Sequence, residues 1–138
     1  RHAVPEVVHG AGGIAPKGDG FLVIGGLPVG VEENYVYEVD SEFRFVRRYT
    51  IPSGYTQLGI QTACRIAGGW LFGCYGTKLL EVDDDLRLVA SYDVDGAYGI
   101  VDAADGAFLM ARHIPPEKYR AKLVPVTRAA FSRPQPQP

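Results

Sequence analysis

The side chains with groups able to bind or react fall between strand-length apolar runs, not inside them. They are Glu32, Glu33 and Asn34; Tyr55, Gln57 and Gln61; Tyr75 and Lys78; Tyr98; and Arg112 and His113, with His9 near the start. Carboxylates beside an Asn offer the oxygen ligands a divalent cation takes. Glu32 and Glu33 are adjacent, however, and on extended chain neighbouring side chains point to opposite faces, so both cannot reach one ion. Several Tyr and Gln with an Arg suit the grip on a sugar or a small polar metabolite. An imidazole pair such as His9 and His113 could supply an acid and a base near neutral pH, although lone histidines beside turns more often face solvent or cap.

The usual signatures of catalysis are missing from the sequence. It has no Gly-x-Ser-x-Gly elbow, no His-Glu-x-x-His pair, no phosphate loop and no Cys-x-x-Cys. Gly10-Ala11-Gly12-Gly13 precedes a strand-like run, so no helix N-terminus follows to hold a phosphate. Asp40-Ser41-Glu42 and Asp83-Asp84-Asp85 are acidic enough for calcium, but both sit where a hairpin turns, and there Asp bonds its own backbone. The ligand-binding candidates are therefore Glu32, Asn34, Tyr55, Gln57, Gln61, Tyr75, Tyr98, Arg112 and His113. The patterns leave the catalytic residues, if there are any, unassigned, and no metal site or cofactor is expected from them.

What must position these groups is a repeat. Glu38-Val39-Asp40-Ser41-Glu42-Phe43-Arg44-Phe45-Val46-Arg47-Arg48-Tyr49 reads again as Glu81-Val82-Asp83-Asp84-Asp85-Leu86-Arg87-Leu88-Val89-Ala90-Ser91-Tyr92, with Glu, Val, Asp, Arg, Val and Tyr in register. A fainter half, a strand, a Gly-ended turn and an apolar strand, occurs three times, beginning at Gly10, Gly59 and Gly96. Self-similarity at roughly 40 residues marks an array of like supersecondary units.

Short runs rich in Val, Ile, Leu, Phe and Tyr, punctuated by Gly-Asp-Gly, Gly-Gly and Asp-Gly, predict strands and tight turns throughout. The first unit has strands near Gly13 to Pro16, at Phe21 to Gly25, Tyr35 to Val39 and Arg44 to Ile51. The second has them near Thr62 to Ile66, at Trp70 to Cys74, Leu79 to Val82 and Arg87 to Val94. The third supplies Gly99 to Asp102, Phe108 to Ala111 and Lys122 to Val126, with at most a turn of helix between Pro116 and Lys122. Its fourth strand is expected from the chain's beginning, Ala3 to Val8. Trp70, Phe21 and Phe108 open the second strands and are expected to pack between units. Arg44 and Arg87 are read as solvent-facing or paired with a nearby Asp or Glu.

The stretch Tyr98-Gly99-Ile100-Val101-Asp102-Ala103-Ala104-Asp105-Gly106-Ala107-Phe108-Leu109-Met110-Ala111 resembles the first two strands of an NHL-type or YncE-like β-propeller blade. That resemblance implies an all-β propeller of about three four-stranded antiparallel blades, without transferring any catalytic residue. Residues 1–9 would be the closing strand, 10–52, 59–95 and 96–128 the blades, and 129–138 a Pro-rich, extended tail. In a propeller, the loops after each second and fourth strand share one end, where ligands bind. Two of these are lengthened in the first unit, at 25–34 and 52–58, and loops that depart from their own repeat are the places to expect function.

Propellers close with about 4 to 8 blades. Three blades imply half of a six-bladed ring, completed by a second copy or by more of a longer chain. The expected function is binding of a small polar molecule or a protein on the loop-rich face. The alternative is a propeller-type hydrolase or lyase using a channel-mouth cation or the histidines.

Bulk properties narrow the partners. The 138 residues are 46% hydrophobic and 22% charged, ordinary for a globular domain. A formal net charge of -2, with Lys and Arg scattered, gives no footprint for nucleic acid or an anionic membrane. Apolar runs fall well short of the roughly 20 residues of a membrane span. Arg1 in first place, with no charged-then-apolar leader behind it, is read as a processed or trimmed end. Cys64 and Cys74 flank a hairpin; a turn at Gly68-Gly69 would set Cys64 against Gly73 and Cys74 against Ala63, diagonal and unsuited to a bridge. Compartment stays open.

Overall fold

A computed structural model describes residues 1–9, 12–25, 30–114 and 117–132. Its strands are β1 (Gly13–Lys17), β2 (Gly20–Ile24), β3 (Asn34–Val39), β4 (Phe45–Ile51), β5 (Ile60–Ile66), β6 (Gly69–Cys74), β7 (Lys78–Asp83), β8 (Leu88–Tyr92), β9 (Ile100–Asp102), β10 (Ala107–Ile114) and β11 (Glu117–Thr127). They form three antiparallel sheets, β1-β2-β3-β4, β5-β6-β7-β8 and β9-β10-β11, each in chain order. The chain is all-β, as the apolar alternation and Gly-Asp punctuation predict.

Two cores hold the sheets face to face. Ala15, Leu22, Ile24, Val36 and Ile51 of the first sheet meet Ile60, Trp70, Phe72, Cys74, Leu80 and Val82 of the second. The other face of the second sheet, with Cys64, Ile66, Leu71 and Leu79, meets Ile100, Phe108 and Met110 of the third. Strand β6 is thus covered on both sides and every one of its residues is buried, which is why it reads as a continuous apolar run. The first strands of the sheets, β1, β5 and β9, lie side by side.

The repeated identities have a structural cause. Asp40 Oδ1 accepts the backbone N–H groups of Glu42 and Arg44, both at 2.9 Å, and Asp83 Oδ1 accepts those of Asp85 and Arg87 at the same distance. The turns then place Phe43 (φ +63°) and Leu86 (φ +58°) in the left-handed region, the strained ending of a type I turn with a bulge. Glu38 accepts from Tyr49 at 2.6 Å and Lys17 at 3.1 Å. Its counterpart Glu81, 8% exposed, accepts from Tyr92 at 2.5 Å and from Arg128. A buried carboxylate must be paired and hydrogen-bonded, so Glu and Tyr recur together. Arg44 is exposed and paired with Asp40 and Glu42, and Arg87 with Asp85.

The structure departs from the sequence expectations in several places. The third sheet has three strands, not four. Residues 3–8 form no strand in this chain; His2 instead packs on Phe43 (centroids 4.7 Å), which stacks on Phe21. Phe21 therefore faces away from the second sheet, while Trp70 and Phe108 do lie between sheets. The helical turn expected at Pro116 to Lys122 is β-strand from Glu117 onward, because the long β10–β11 ladder satisfies its backbone. The β5–β6 turn is Ala67-Gly68, with Gly68 at φ +77°. That register sets Cys64 against Leu71 and Cys74 against Ile60, and both thiols are buried and free. Of the tail, Arg128–Ser132 is a short 3-10 helix whose Phe131 is buried against Tyr92 and Phe108; residues 133–138 lie outside the described residues.

Candidate functional site

The start of β3, the β4–β5 loop, the β6–β7 turn, the β8–β9 loop and the end of β10 meet at one end, and there the candidates fall into two connected groups. The first is built on Asn34, the opening residue of β3. Its fully buried Nδ2 donates to Ser53 Oγ at 2.6 Å and Thr56 Oγ1 at 2.9 Å. This clamps the long β4–β5 loop, which carries exposed Tyr55 and Gln57. Lys78 adds a second tie, donating to the carbonyls of Ser53 at 2.8 Å and Tyr55 at 3.4 Å. Gln61 Nε2 donates to the Leu58 and Gly59 carbonyls, a further tie that closes the loop. Asn34 Oδ1 is buried with no partner among the described residues.

The second group is aromatic. Tyr75, from the β6–β7 turn, meets Tyr98 of the β8–β9 loop edge-on at 6.4 Å, and Tyr98 meets His113 at 5.6 Å in the same manner. Tyr55 is 46%, Tyr75 36% and Tyr98 52% exposed. Tyr75 and Tyr98 are thus partly exposed aromatic side chains held by neighbouring rings.

The remaining candidates are less involved. Glu32 and Gln57 are exposed, and their side chains make no hydrogen bond or ion pair among the described residues. Glu33 accepts the Tyr35 hydroxyl at 2.6 Å, and that bond raises the Tyr35 pKa. Arg112 and His113, expected on a loop, sit on β10 opposite Lys122 and Ala121. His9 is exposed with φ +66°. Residues 26–29 of the lengthened β2–β3 loop, and Gly10 and Ala11 of the glycine run, lie outside the described residues. No three His, Cys, Asp or Glu side chains come together as a metal site needs among the described residues.

Sequence reasoning missed Ser53, Thr56 and Lys122. The two hydroxyls lie in the loop already singled out for its length, so an acceptor for the Asn34 amide was there to be sought. Lys122 was expected to open a strand, but the strand before it was ended at Ala111, so nothing set Lys122 opposite Arg112. No family model matches the chain, and no curated protein does.

Proposed function

We propose that the chain is a β-propeller-type binding module that takes a small polar ligand on its loop-bearing end. The observation that carries the reading is the row Tyr75, Tyr98 and His113, in contact with one another yet exposed, beside a β4–β5 loop fixed by Asn34 and Lys78. Rigid tyrosines give contact area at little entropic cost, and a loop already tied down loses little more on binding.

The propeller reading rests on how repeat positions are covered. Val36 and Leu79 hold the same place in the first and second sheets, and both are 0% exposed; Leu123, their counterpart in the third, is 67% exposed. Ala15 and Cys64 are 6% and 5% exposed, and their counterpart Val101 is 61%. The third sheet thus presents to solvent the surface its two predecessors use against a neighbouring sheet. Packing of like sheets around a ring covers such faces. A second copy of the chain, offering the outer face of its first sheet, is the occupant that matches, since Phe21 on that face rests on Phe43 of its own sheet and joins neither core.

Amide chemical-shift mapping with a panel of neutral sugars tests the binding face. Saturable shifts at Tyr75, Tyr98 and the 53–58 loop, lost in Tyr98→Ala, are expected. A folded chain whose loop-end amides respond to none of the panel would refute the reading.

A further inference from the structure

A cavity of about 630 Å³ lies between the second and third sheets, reaching from the loop-bearing end along β11 to Ala130. One wall is the β10–β11 hairpin, where Arg112 and Lys122 stand directly opposite each other. The other is formed by Thr77 of the β6–β7 turn and by Asp93 and Asp95 of the β8–β9 loop. Its size falls in the range of small-molecule sites.

Like charges directly across a strand pair repel. Neither Arg112 nor Lys122 makes an ion pair among the described residues. Among the described residues Arg112 Nε is buried without a hydrogen-bond partner, and the guanidinium's one hydrogen-bond contact is Nη2 with Met110 Sδ at 3.8 Å, a weak acceptor. A buried donor left unmade is costly. Asp95 on the facing wall is engaged with the Ala97 N–H at 3.3 Å.

We propose that this cavity binds the anionic group of a small molecule, a carboxylate or a phosphate. Arg112 supplies the planar fork that matches either group, with Nε–H as one tine, and Lys122 supplies a point charge from the neighbouring strand. The anion offsets the cross-strand repulsion and satisfies the orphaned Nε–H together. Asp95 repels it from the facing wall, which orients the ligand with its anionic end toward the hairpin. His113 lines the cavity and also touches Tyr98, so the pocket adjoins the aromatic row. The inference rests on the loop-bearing end being the binding face and adds the chemical class of what enters it.

Inorganic phosphate and succinate, each at millimolar concentration with chloride as the ionic-strength control, are the probes. Thermal shift and amide shift mapping on the full chain are the readouts. Saturable stabilisation by either anion, with shifts at Thr77, Arg112 and Lys122, is expected; which one acts tells phosphate from carboxylate. Arg112→Gln and Lys122→Gln each remove one of the opposed charges, so the anion-free chains should melt no lower than wild type. Their affinity should fall about tenfold or more. Anion effects that match chloride, or that survive in Arg112→Gln, would overturn the proposal. Should neutral sugars still move Tyr75 and Tyr98, only the anion site fails; if neither class moves anything, the binding face fails with it.

Discussion

Replacing Leu123 by Asp separates the fold of the chain from its assembly. In the single chain Leu123 is 67% exposed, so the change should alter stability by no more than about 0.5 kcal/mol. Leu79, at the same repeat position in the second sheet, is fully buried in the second core. Leu79→Asp there loses about 2 kcal/mol of apolar burial and adds the larger cost of an unpaired buried carboxylate, and it should leave little folded protein. If a second copy covers the third sheet, Leu123 gains most of a leucine's burial on association, about 1 to 2 kcal/mol.

Two half rings meet at two identical junctions, so one substitution acts twice. Loss of burial alone then weakens the dimer by about 2 to 4 kcal/mol, roughly 30- to 1,000-fold, before any desolvation of the new carboxylate. Light scattering and sedimentation over a concentration series measure this directly. The expected result is a wild-type dimer, and a Leu123→Asp chain that is monomeric with an unchanged melting profile. A wild-type chain that stays monomeric and well behaved at high concentration refutes closure by a second copy. So does a Leu123→Asp chain that still dimerises with wild-type affinity.

Three further outcomes follow from the hydrogen bonds. Asn34→Ala should cost about 1 to 3 kcal/mol in chemical denaturation, since it strips Ser53 and Thr56 of a shared donor, and should speed hydrogen exchange across residues 53–58; unchanged exchange there would mean that the clamp does not hold the loop. Tyr49→Phe and Tyr92→Phe remove equivalent bonds to Glu38 and Glu81, so each should cost about 1 kcal/mol, and losses differing severalfold would contradict the equivalence. Backbone N–H bonds led by that of Arg44 lower the Asp40 pKa, and Glu38 is also lowered because the bonds from Tyr49 and Lys17 together outweigh its burial; their stabilisation is present above the ordinary carboxyl values of 3.8 and 4.5 and is lost as pH falls below them. At the other extreme, burial and the Glu38 bond push Tyr49 up to about 12, so stability should decline as pH rises from 10 toward that value; a flat alkaline melting profile would contradict it.

How much of this was legible in the sequence depends on whether the determining contact is local. The Asp40 and Asp83 turns are read from a few consecutive residues, because Asp folds the chain onto its own backbone. The burial of β6 is likewise visible as an unbroken apolar run. The β10–β11 hairpin was only partly visible, since charged residues and flanking prolines obscured a ladder whose reward comes from pairing across the turn. Asn34 was visible as a polar residue at the end of a lengthened loop, but its role was not: its amide is used on Ser53 and Thr56, about 20 residues on, and no local pattern announces that.

The same distinction decides what the repeat means for function. Positions that recur with the same chemistry, Glu38 with Glu81 and Tyr49 with Tyr92, are accounted for by pairing within each sheet and need no ligand. Positions that recur in place but not in environment are the informative ones. Leu123 keeps a core residue type without a core, which points to a missing neighbour. Apart from the repeat, Arg112 carries a buried donor without an acceptor among the described residues, which points to a missing anion. An apolar surface and an unsatisfied N–H both cost free energy in the isolated chain, and packing and hydrogen bonding relieve them separately. Assembly and anion binding should therefore be separable: Leu123→Asp monomers should still be stabilised by phosphate or succinate, and Arg112→Gln chains should still dimerise.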